Sequence, residues 1–226
     1  MAPSSTTLSS FDIHEAVRLL RPVVQSLPKA ALFDLYDQGY TSLFEQLISC
    51  IISIRTYDEV TVPTAVRLFD LARTPEAVQR LTPSQIDAAI TESTYHEAKS
   101  YQIHTIATTI MDRYQGELPG NFETLTSFKG VGPKCAGLAL GIALGQPYIG
   151  VDIHVHRITN RWGYVEAKTP EKTMVALQQK LPKEYWVEIN RLLVPYGKHV
   201  CKGTYPRCSE CLLVSMCQQK GVDSHR

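Results

Sequence analysis

Four cysteines crowd one stretch of the sequence, Cys201, Cys208, Cys211 and Cys217, in a C-x6-C-x2-C-x5-C spacing. Zinc sites usually set two close pairs on either side of a longer span. Here one close pair carries a single cysteine on each flank. Four thiolates within seventeen residues suit the all-thiolate ligation of a compact 4Fe–4S cluster, with zinc or plain structural thiols as the alternatives. The other two cysteines, Cys50 and Cys135, fall in apolar helical patterns and read as small core residues. Lys198, Lys202, Tyr205 and Arg207 lie in or beside the cysteine loop. The loop could therefore press positive charge against phosphates.

A second chemical centre is the turn Lys129-Gly130-Val131-Gly132-Pro133-Lys134. Gly130 and Gly132 permit positive φ and a close backbone approach. Pro133 suits the first position of a following helix, where its missing N–H costs nothing. The pattern predicts a helix–hairpin–helix whose free N–H groups, at Gly130, Val131 and Gly132, can hold a DNA phosphate without reading bases. Taken alone, it is also compatible with a simple interhelical turn. Lys134 opens the second helix, among positive partial charges that favour the neutral amine. A neutral amine is a nucleophile able to form a Schiff base at a sugar carbon.

Eighteen residues on, Asp152 stands in Gly150-Val151-Asp152-Ile153-His154-Val155-His156-Arg157. It follows a short extended piece and opens a helix, so one reading is an N-cap. A carboxylate in that place could also stabilise a cationic sugar intermediate or take a proton. His154 and His156 lack the spacing of a zinc-binding helix, and no metal is assigned to them.

The elements that must position these groups read as helices. Apolar residues recur at three and four from Phe11 to Val24, and Thr41 or Ser42 with Glu45 resembles a capping box ahead of Leu43–Ile52. Further helical patterns cover about 59–72, 84–91, 97–114, 133–145, 152–162, 169–181 and 184–194, punctuated by prolines. Only 147–151 looks strand-like, so the fold class is all-α. The Ser/Thr-rich residues 1–10 read as a flexible tail rather than a secretory signal. That implies an intracellular, reducing compartment, which favours a metal or cluster over disulfides. No apolar run reaches the roughly 18–20 residues of a membrane span. Hydrophobic residues at 44% and charged residues at 20% exclude a disordered or collagen-like chain. The net charge of +1 is unevenly spread: residues 1–100 carry 8 Lys/Arg against 12 Asp/Glu, whereas residues 181–226 carry 7 against 4. A polyanionic partner should meet the later part of the chain.

With these residues in view, the chain resembles the endonuclease III family of helix–hairpin–helix DNA glycosylases, from about Leu43 to Cys217 with few or no gaps. The glycine turn ending in Lys134, the Val151–His154 stretch and the cysteine spacing match in order and separation. The resemblance implies two helical domains with a DNA-binding cleft between them. A six-helix barrel would span residues 36–146. A cluster domain would combine 11–35 with 147–226. It further implies that Lys134 attacks C1′ of the damaged nucleotide, that Asp152 assists, and that the four cysteines hold the cluster. His154, Lys202 and Arg207 would touch DNA.

Two positions depart from the family. Its Ser-x-Gln-x-x-Asp stretch is here Ser53-Ile54-Arg55-Thr56-Tyr57-Asp58, placing Arg55 where a glutamine fills the gap left by a flipped base. In Ser93-Thr94-Tyr95-His96-Glu97-Ala98-Lys99, Thr94 replaces a glycine and Tyr95 takes the second filling position. The expected activity is removal of a damaged base, most often an oxidised pyrimidine, followed by β-elimination. The partner is double-stranded DNA with damaged bases or abasic sites, bound by a monomer in the cytoplasm or nucleoid if the source is bacterial. An adenine- or thymine-mismatch glycosylase is the enzymatic alternative. Such relatives generally lack the lysine, and the adenine type adds a further domain where this chain ends nine residues after Cys217. A non-catalytic DNA-binding or redox-sensing cluster protein is the other alternative.

Overall fold

The computed structural model describes residues 11–226; the expected tail over 1–10 lies outside them. Among the described residues every regular element is helical and no strand occurs. In chain order the helices are α1 (Ile13–Gln25), α2 (Ala31–Asp37), α3 (Leu43–Ser53), α4 (Asp58–Leu71), α5 (Pro75–Gln79), α6 (Pro83–Ile90), α7 (His96–Tyr114), α8 (Phe122–Ser127), α9 (Pro133–Leu144), α10 (Ile153–Arg161), α11 (Pro170–Lys180) and α12 (Glu188–His199). The chain divides into two compact units. One is Ala30–Gly150; the other joins the chain up to Lys29 to Val151–Arg226.

Packing accounts for both limits of the Ala30–Gly150 unit. α2 buries Ala31, Leu32, Phe33 and Leu35 against α3 and α4, which binds it to the Ala30–Gly150 unit. At the other limit, Ile149 is buried and its carbonyl lies close over Gly137 of α9.

Within Ala30–Gly150, α3 is the hub, packing on α2, α4, α7 and α9. It starts at a capping box, Ser42 accepting from the Glu45 N–H while the Glu45 carboxylate accepts from Ser42. Every residue from Leu43 to Ile52 is buried, the polar Glu45, Gln46 and Ser49 included, as expected of a helix at the centre of the core. Glu45 is accommodated in that core by Arg73, whose Nε lies 2.7 Å from the carboxylate. α9 is buried from Cys135 to Ile142 and packs on α3, so the element that begins at Lys134 is anchored in the core.

The other unit packs α12 against α1 and α10. α1 is capped by Asp12 and buries Ile13, Ala16, Val17 and Leu20. Phe11 stacks on Trp162 at 4.6 Å. The expected helix over 184–194 resolves into a 3-10 turn at Lys183–Tyr185 and then α12, which continues through Pro195 to His199. A proline inside a helix removes one hydrogen bond. Here Leu192, Leu193, Pro195 and Tyr196 are all buried, and that burial outweighs the lost bond.

Candidate active site and DNA interface

The hairpin forms as its sequence dictates. α8 is capped by Asn121 and ends at Phe128, whose carbonyl accepts from Val131 N–H at 3.0 Å. Gly130 has φ +83, the left-handed conformation that only glycine adopts without strain. Gly132 does not: it is extended, at φ −88 and ψ 174, and serves as the N-cap of α9. The space its Cβ would occupy is open. Among the described residues no contact requires a glycine at 132, which leaves room for a ligand to approach the backbone. Val131 N–H is already engaged, so it is not one of the free donors. α9 has no side-chain cap, and its first turn carries Pro133 and Lys134. Lys134 is exposed, and its amine makes no hydrogen bond or ion pair among the described residues.

Asp152, in the other unit, is the N-cap of α10. Its Oδ1 accepts from His154 N–H at 3.0 Å and Val155 N–H at 2.8 Å. Oδ2 takes no hydrogen bond among the described residues. The cap reading and the chemical reading thus occupy different oxygens of one carboxylate. His154 is half-buried, its Nδ1 3.1 Å from the Arg157 guanidinium.

Arg55 and Tyr95 come together in the Ala30–Gly150 unit. Arg55 Nη1 donates to the Tyr95 hydroxyl at 3.1 Å, and the guanidinium carbon lies 5.8 Å from the ring centroid. Both residues have left-handed backbones, φ +54 and +60. Non-glycine residues held there cost about 1–3 kcal/mol each and are commonest at functional sites. Tyr57 and Ile54 on the same turn are also exposed.

The four cysteines line one pocket, walled by Trp162, Val200, Pro206 and Val214. Among the described residues no three His, Cys, Asp or Glu side chains gather to hold a single metal ion. The thiols frame a volume. Burial pushes the Cys208 thiol up, and the Cys217 thiol up to about 11. Thiolates there therefore require a cationic group among them. Donors already point at the sulfurs: Tyr196 hydroxyl to Cys211 at 3.0 Å, Gln219 N–H to Cys217 at 3.4 Å, and Arg161 Nη1 to Cys201 at 3.5 Å. This donor set fits an all-thiolate group larger than one ion.

Two arginines that sequence reasoning passed over hold this loop. Arg157 donates to the carbonyls of Gly197 and Cys201, and Arg161 to those of Lys202 and Gly203. Their spacing of four on α10, ahead of a cysteine loop, was the available signal. Lys202 is half-buried, and Arg207 lies 3.6 Å from Glu210 within the loop.

The HhH-GPD superfamily of base excision DNA repair proteins matches residues 48–183. Endonuclease III of Thermotoga maritima is 36% identical over 200 residues, covering 88% of this chain and 91% of that protein. The chain belongs to the endonuclease III family. Endonuclease III of Haemophilus influenzae is 31% identical over 181 residues, 80% of this chain and 86% of that one. The chain spans only 63% of the endonuclease III-like protein 1 of Gallus gallus, which is 37% identical over 177 residues. The structure of a trapped endonuclease III–DNA covalent intermediate shares the fold, with a TM-score of 0.79 at 24% identity over 92% of this chain and 94% of that one. As an endonuclease III family member the protein is a base excision repair DNA glycosylase and abasic-site lyase.

Proposed function

We propose that the protein extrudes damaged bases, oxidised pyrimidines foremost, from duplex DNA, with Lys134 as nucleophile and Asp152 as the assisting carboxylate. The observation that carries this is the exposed, unpaired Lys134 amine in the first turn of a helix whose body is locked in the core. The Lys134 amine attacks C1′ and gives up a proton, and the glycosidic bond breaks with its electron pair leaving on the base, which takes up a proton. The free oxygen of Asp152 is suited to steady positive charge on the sugar or to move the proton. Ring opening gives the Schiff base; loss of a C2′ proton then expels the 3′ phosphate by β-elimination, and water releases the amine. The hairpin and the uncapped start of α9 hold a phosphate beside the lysine.

In this reading Cys201, Cys208, Cys211 and Cys217 hold a 4Fe–4S cluster, which supplies a rigid frame for their loop. Lys202 and Arg207 then meet phosphates, His154 lies along the DNA surface, and the protein works as a monomer inside the cell. Borohydride added to a reaction on an abasic-site duplex should trap a covalent adduct with the wild type and none with Lys134→Ala. Equal trapping by the variant would move the nucleophile to another residue.

A further inference from the structure

Beside Arg55 and Tyr95 sits a buried lysine that neither the hairpin chemistry nor the cysteine loop uses. Lys99, in the first turn of α7, is only 4% exposed. Its ammonium donates to the carbonyls of Ile52 and Ile54 at 2.7 and 2.8 Å and to the Thr56 hydroxyl at 3.2 Å. Burial draws it down to about 8. A lysine in such surroundings carries a desolvation cost, so its three acceptors fix its position closely. Thr94 adds a second tie between the same two turns. Its hydroxyl donates to the Arg55 carbonyl at 2.8 Å, and its N–H donates to the Thr56 hydroxyl at 3.1 Å. The turn that carries Arg55 is therefore bound on both sides to the turn that carries Tyr95.

We propose that Lys99 and Thr94 are positioning residues that join Arg55 and Tyr95 into one preassembled wedge, which enters the vacated base position as a unit and sets which opposite base is accepted. Three observations on separate atoms converge on this. The two side chains are already hydrogen-bonded to each other. Their backbones are both held left-handed, a conformation the surrounding bonds must enforce. The tips of the wedge are exposed, as an inserted side chain requires. Two independent fillers would need neither the shared bond nor the buried clamp. An ordered wedge has less conformational freedom to lose on entering the duplex. Its guanidinium, held from one side by the tyrosine hydroxyl, keeps its remaining donors for an orphaned base, and guanine offers paired acceptors to such a fork.

This inference rests on the base-excision reading above, and its test separates the two. The protein is titrated with a duplex holding an uncleavable tetrahydrofuran abasic site opposite each of the four bases, and with the intact duplex. The measured quantity is the abasic-to-intact affinity ratio. Arg55→Gln and Tyr95→Phe should each lower the ratio about tenfold and flatten the opposite-base ranking. The double variant should lose no more than about tenfold, because both single changes break the same unit. Lys99→Met should reproduce that loss with intact-duplex affinity preserved. Should Lys99→Met fail to fold, Thr94→Val, which removes an exposed hydroxyl, should shift the ratio in the same direction. Multiplication of the two single effects to about a hundredfold, or an unchanged ratio in Thr94→Val, overturns the joined wedge while leaving the enzyme reading intact. A wild-type protein with no preference for the abasic duplex overturns both.

Discussion

Asp152 caps α10 through Oδ1 and leaves Oδ2 without a hydrogen bond among the described residues, so substitution can separate the cap from the proposed chemistry. Oδ1 caps α10; asparagine caps a helix about as well as aspartate. Asp152→Asn should keep the thermal midpoint near that of the wild type while base release slows by about a hundredfold or more, the usual contribution of a positioned acid or base. Asp152→Ala should lose the same activity and about 1 kcal/mol of stability besides. Single-turnover base release and denaturant melts on both variants check this; equal melts for the two would show that the cap contributes nothing. At this scale the sequence was informative where a residue's capping or backbone conformation is set by its own neighbours along the chain, as with the Asp152 cap and the left-handed Gly130. It was silent on the bond between Arg55 and Tyr95, forty residues apart, and on the clamp of Lys99, because these depend on how two turns meet in space.

Helices with strong apolar periodicity or clear caps were legible: α3 with its capping box, α7 and α9 each lie within a residue or two of their expected limits. α2 and α5 were not. Each has seven residues or fewer and is held by tertiary packing, and α2 lacks any side-chain cap. The hairpin shows the opposite case, where two glycines that look alike in sequence do different work. Gly130→Ala should cost about 1–2 kcal/mol, because alanine must take a left-handed φ and its Cβ would meet Gln102. Gly132→Ala should leave stability unchanged, since its backbone is extended and the space is open, yet weaken DNA binding by crowding the phosphate. Paired thermal melts and duplex titrations distinguish them. A Gly132→Ala protein with wild-type affinity would remove the phosphate from that turn.

For the molecule as a whole, binding should follow its charge. Each phosphate neutralised contributes about −0.9 to the slope of log K against log salt. Lys202→Ala should lower affinity for every duplex sequence and reduce that slope by about one; an unaltered slope would take the cysteine loop off the DNA. Purified protein should be brown and hold about four irons per chain. Cys211→Ala should lose that colour and much of its solubility, and zinc alone in iron-replete preparations would contradict the cluster. The chain's threading has a further consequence, in the time order of synthesis. α1 packs on α12, and Arg21 meets Glu188 across 167 residues of sequence. Ribosomes add about 5–20 residues per second, so α1 emerges on the order of ten to thirty seconds before its packing partner exists. Ala30–Gly150 is contiguous, so all of its core residues are synthesised within that interval. The apolar stripe of α1, Ile13, Ala16, Val17 and Leu20, therefore waits without its packing partner until α12 has been synthesised.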